Sequence, residues 1–86
     1  MLMIIKEFAL GVNENDVTEI EKKLNEFNVH ILNGPRYSGI EIDGKTFVKG
    51  YFTCSAMEQN LEKLTTYLQN DYKGVAIIRF KNGLGF

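Results

Sequence analysis

Tryptophan is absent from this 86-residue sequence, and cysteine, proline and histidine occur once each, as Cys54, Pro35 and His30. A lone cysteine excludes an internal disulfide framework, and a lone histidine excludes a metal site built from several imidazoles. Long apolar runs are lacking too. The longest, Met1 to Ile5, is far short of the roughly 20 residues that cross a bilayer, and of a signal-peptide core. Neither sign of charge is in excess: ten Lys and Arg stand against eleven Asp and Glu, a formal net charge of −1 with a pI near 5.8. That balance argues against broad, salt-driven duplex binding, which needs a basic surplus. There is no Gly-rich phosphate loop leading into a helix, no paired Cys and no H-E-x-x-H. These absences lead us to expect a cytoplasmic protein that is not an enzyme, carries no cofactor or metal, and engages neither membrane nor nucleic acid.

What is present is an ordinary globular composition, 44% hydrophobic and 24% charged. At 9.8 kDa the chain allows one domain, which we place over residues 1–86. Such a chain buries only roughly 60% of the surface its unfolded form exposes, so one sheet under one layer of helices is expected.

Leu2 to Leu10 reads as a central strand ended by Gly11, with its facing ambiguous: either Lys6 and Phe8 or Ile5 and Glu7 point away from the helices. Asp16 and Glu19 have capping-box spacing, and Val17, Ile20, Leu24 and Phe27 then recur at helical intervals, predicting a helix from about Asn15 to Phe27. Val29 to Leu32 is a short strand interrupted at Asn33-Gly34-Pro35. Tyr37–Ile42 and Lys45–Cys54 flank Asp43-Gly44 and form a β-hairpin. A two-residue turn would place Ile42 opposite Lys45 and Val48 on the same face as Glu41. A three-residue turn, Ile42 to Gly44, would instead pair Glu41 with Lys45. It puts Ile40, Val48, Phe52 and Cys54 on one face and Tyr37, Phe47, Lys49 and Tyr51 on the other, and is the preferred register. Ser55-Ala-Met-Glu58 has the form of a capping box. Met57, Leu61, Leu64, Leu68 and Tyr72 predict a second helix that stops near Gly74. Val75 to Lys81 is a last strand with Ala76, Ile78 and Phe80 on one face and Val75, Ile77 and Arg79 on the other. Asn82 to Phe86 is a tail that extends the last strand or plugs a groove through Leu84 and Phe86.

The order β-α-β-β-α-β is that of an α+β, ferredoxin-like sandwich: an antiparallel sheet with two helices on one face. The other face then has no cover within the chain, and it becomes the candidate site, carrying Tyr37, Phe47, Lys49, Tyr51, Ile77 and Arg79. No catalytic residues are assigned. His30 reads as a strand residue, Cys54 as a buried structural thiol, and the carboxylates of the two helices as solvated surface groups.

Three functions fit a bare mixed sheet face. The expected one is a binding module that regulates or occludes a protein partner through this face, or through an edge strand broken at Pro35. The second is a homodimer whose sheet-to-sheet interface frames a small-molecule or sensor site. The third is stacking of single-stranded RNA. Lys49-Gly50-Tyr51 on the third strand resembles the start of the RNP1 segment of RNA-recognition motifs. That resemblance implies Tyr51 as a stacking ring and Lys49 as a phosphate contact. It covers three residues, after which Phe52, Thr53 and Ala56 depart from the pattern. Eight Asn, eight Lys and eight Ile against two Arg suggest an AT-rich coding sequence. That composition fits an accessory or mobile-element protein.

Overall fold

Asp43 and Gly44 both adopt positive φ, 52° and 77°. This is the two-residue turn whose twist matches the twist of the strands it joins. It connects β2 (His30–Ile42) to β3 (Lys45–Met57), pairing Ile42 with Lys45, Glu41 with Thr46 and Ile40 with Phe47. The expected three-residue turn is therefore corrected. An exposed Glu41–Lys45 ion pair is worth at most about 1 kcal/mol, too little to outweigh the Asp-Gly turn geometry.

The computed structural model describes residues 4–82. The remaining elements are β1 (Ile5–Asn13), α1 (Val17–Glu26, preceded by one 3-10 turn), α2 (Glu58–Asn70) and β4 (Ile77–Phe80). They form one four-stranded antiparallel sheet in the order β2-β3-β1-β4. Of the expected tail from Asn82 to Phe86, the residues from Gly83 on, Leu84 and Phe86 among them, lie outside the described residues.

Three boundaries differ from expectation. β1 runs through Gly11 to Asn13, because the missing side chain of Gly11 makes room for a neighbour's ring: a Cβ there would lie 2.6 Å from Tyr51 Cε1. Ser55 does not cap a helix. It sits in the sheet between Glu7 and His30, and β3 stays extended to Met57. The first helical N–H, on Glu58, donates to the Ile4 carbonyl at 3.0 Å, so the ladder supplies what a cap would. β2 is continuous rather than broken. Its pairing shifts between Ile31 and Asn33 and again between Asn33 and Arg36, around a cis Gly34–Pro35 bond. Gly34 holds φ 115°, and a Cβ on it would meet the Tyr51 carbonyl at 2.6 Å. Pro35 is tolerated because β2 is an edge strand.

The core lies on one sheet face. Phe8, Leu10 and Val12 of β1 and Phe52, Cys54 and Ala56 of β3 pack under Val17, Ile20 and Leu24 of α1 and Leu61, Leu64 and Leu68 of α2. Gly50 lacks a side chain where Val17 comes down on the sheet. Met57, expected in this core, is instead partly exposed at the end of β3. Cys54 is fully buried, and burial pushes its thiol up to about 12. It should resist iodoacetamide at pH 8 in the folded protein and react on unfolding, as mass spectrometry can read. Ready native labelling would contradict this packing.

Candidate functional site: the uncovered sheet face

Side chains alternate across a strand, and directly paired residues share a face, so the ladder assigns each paired position. The face away from the helices carries Ile5, Glu7, Ala9, Gly11 and Asn13 of β1, which resolves the facing of that strand. β3 contributes Phe47, Lys49, Tyr51 and Thr53; β2 contributes Arg36, Ile40 and Ile42; β4 contributes Ile77 and Arg79. Of the expected site residues, Phe47, Lys49, Tyr51, Ile77 and Arg79 meet here.

Tyr37 does not. It pairs with Gly50, on the helix side, where its ring lies 3.4 Å from the place a Gly50 Cβ would take. The one-residue difference in turn length moved it across the sheet, as any slip of register does. The same slip brings Ile40 to the open face, opposite Phe47. It also brings Arg36 there, opposite Tyr51, because the register runs unbroken from the turn to Arg36 and shifts only beyond it, toward Asn33. Arg36, Ile40 and Ile42 were all legible from the Asp-Gly turn rule.

The face is apolar and uncovered. Ile5 is 68% exposed, Ile42 55%, Phe47 48% and Ile77 38%. The Tyr51 ring is half-buried over Gly11. β1 ends opposite Lys49, so the hairpin beyond it projects as a two-stranded arm, and the molecule is elongated, 50 × 31 × 19 Å. At the root of the arm a groove of about 340 Å³ is lined by Asn13, Ile40, Ile42, Phe47, Lys49 and Val75.

The charges are sorted between the two sides. The open face carries Arg36, Lys45, Lys49, Arg79 and Lys81 against one carboxylate, Glu7, which pairs with Lys81 at 2.9 Å. That is a surplus of four positive charges. The rest of the chain holds five Lys against ten carboxylates, many of them on α1, α2 and the turn before α1. A net charge of −1 conceals this separation. Arg36, Lys45 and Arg79 have no ion-pair partner among the described residues.

The helix side offers little chemistry. Tyr72 donates to Asp16 Oδ2 at 2.8 Å and accepts from the Asn13 N–H at 3.2 Å, tying the segment after α2 to the start of α1. Burial, then the Asp16 bond, pushes its hydroxyl up to about 12. A folded-state value above the unfolded one near 10 favours the folded chain at lower pH. That contribution is lost as pH rises from about 10 to 12. Tyr72→Phe should therefore be less stable than the parent at pH 7, and the gap in urea midpoint should shrink by pH 12. A constant gap would contradict this. Among the described residues no group of three or more His, Cys, Asp or Glu is placed to hold a metal ion, and no helix is long and apolar enough to cross a membrane.

An antiparallel sheet in this strand order with both helices on one face defines the ferredoxin-like α+β fold. Comparison with solved structures agrees. The chain is similar to a protein of Thermus thermophilus described as a PII-like signaling protein, with a TM-score of 0.62 at 10% identity over 93% of this chain and 88% of that one. It also matches the de novo designed protein Foldit4, with a TM-score of 0.44 at 14% identity over 94% of this chain and 98% of that one. No protein-family model matches the sequence, and neither does any curated protein.

Proposed function

We propose that this chain is a non-enzymatic, cytoplasmic, single-domain binding module that regulates or occludes a protein partner through its open sheet face, and that the partner surface is acidic. The observation that carries this reading is the coincidence, on one uncovered face, of exposed apolar anchors with unpaired cations. Aromatic and Arg side chains at the centre of a patch are the usual anchors of protein interfaces, and complementary potential sets which partner is accepted. Phe47, Tyr51, Ile77 and Arg79 are the anchors, with Arg36, Ile40 and Ile42 added by the register. Tyr37 sits on the other side of the sheet and takes part only if the partner wraps the edge strand β2.

The sheet-to-sheet homodimer is less favoured, because it would set two surpluses of four positive charges against each other. RNA stacking lacks its platform. β1 presents Ala9 and Gly11 beside Tyr51, and Thr53 stands two residues along β3, so no second ring adjoins it. Affinity capture from the native cell, with Phe47→Ser plus Tyr51→Ser as comparison, tests the reading. A partner held by the parent and lost by the folded double variant is expected. A partner equally retained would overturn it, as would a stable dimer by light scattering whose contact uses this face.

A further inference from the structure

We infer that the groove at the root of the hairpin arm receives an acidic side chain flanked by an apolar one, from a segment of the partner protein, with the Lys49 ammonium as its counter-charge. This rests on the docking reading above and names the chemistry of one anchor.

Lys49 is the one charged residue buried among the described residues, 8% exposed, yet it lies on the sheet face that the helices leave bare. From β3 it reaches the far wall of the groove, where Nζ donates to the Val75 carbonyl at 2.9 Å. An ammonium has three N–H donors and seeks a counter-ion when withdrawn from water. Here one donor is used, on a neutral acceptor, and no carboxylate pairs with it among the described residues. The rest of the lining is Ile40, Ile42, Phe47 and Val75, with Asn13 as the other polar member. The groove thus combines apolar walls with one uncompensated positive charge. One carboxylate balances one ammonium, whereas a phosphate, with a charge of about −1.5 to −2 at pH 7, would stay under-compensated beside the single cation of this lining. The walls ask for an aromatic or aliphatic group beside it. A protein segment is the fitting source because the groove adjoins the wider face: beyond Lys49 and Asn13, the next residues of β3 and β1 on that face are Tyr51 and Gly11.

The test uses acetyl-Phe-Glu-amide and acetyl-Phe-Gln-amide, titrated into methyl-labelled protein and followed by NMR. The Glu peptide should bind at least about fivefold more tightly than the Gln peptide and shift the methyls of Ile40, Ile42 and Val75. Lys49→Met should abolish the preference and Lys49→Arg should retain it. Should Lys49→Met lose its native dispersion, the comparison in the parent and in Lys49→Arg decides. Equal binding of the two peptides, no binding by either, or shifts elsewhere would overturn the assignment. Tighter, Lys49-dependent binding of 3-phenylpropionate than of the Glu peptide would overturn the protein source in favour of a free acid. The docking reading fails separately, if Phe47→Ser plus Tyr51→Ser keeps its captured partner.

Discussion

Phe8→Ala is expected to destabilise the protein by about 3–5 kcal/mol, the usual cost of removing a buried ring and leaving a cavity. Phe8 has no exposure and sits in the centre of β1, paired with Cys54 of β3 and Phe80 of β4. A chain of this length is held by roughly 4–13 kcal/mol, so the loss takes a large share of the whole. Phe80 is the internal comparison. Its ring lies 6.3 Å from that of Phe8 on the same side of the sheet, but the residue is 54% exposed. Phe80→Ala should therefore cost only about 1 kcal/mol. Urea unfolding of both variants reads the difference. Equal losses would mean that β4 covers the core more completely than the packing indicates.

Arg36→Glu combined with Arg79→Glu is expected to slow association with the captured partner by at least about tenfold, and to remove most of the salt dependence of the on-rate. The two guanidinium groups stand on β2 and β4, the opposite edges of the sheet, and neither has an ion-pair partner to lose within the chain. Reversing them turns the surplus of four positive charges on this face into a balance, without touching the core. Folding stability should change by less than about 0.5 kcal/mol, as is usual for exposed substitutions. A reversal of charge on the helix side, Lys22→Glu with Lys63→Glu, should leave the on-rate almost unchanged. Stopped-flow association at two salt concentrations distinguishes these. Equal slowing by both pairs would assign the effect to net charge rather than to this face.

The fold was legible wherever one periodicity dominated. Val17, Ile20 and Leu24, and Leu61, Leu64 and Leu68, marked the two helix faces, and the alternation around Ile78 set the facing of β4. Errors arose where a local signal met a long-range one. Gly11 and Ser55 carry stop and cap signals, yet both lie in strands that are paired on each side across the sheet. At Asp43-Gly44 the local signal was the correct one, and a preference for a surface ion pair displaced it. That single residue of register moved Tyr37 off the open face and brought Ile40 onto it. The separation of charge could not be read from the totals, because it depends on which strand face each cation takes. The burial of Lys49 depends on the segment after α2 folding back until Val75 meets it, a contact between residues far apart in the chain.

The isoleucine methyls provide the most direct measurement of the central claim. Ile5, Ile40, Ile42 and Ile77 lie on the open sheet face, while Ile20 and Ile78 lie among or beside the core under the helices. Cross-saturation from the captured partner to a deuterated, isoleucine-methyl- and threonine-methyl-labelled chain reports which group it touches. Attenuation is expected at Ile40, Ile42 and Ile77, with Ile20 and the helix residues Thr18, Thr65 and Thr66 unchanged. Attenuation centred on Thr18, Thr65 and Thr66, with the open-face isoleucines untouched, would contradict it.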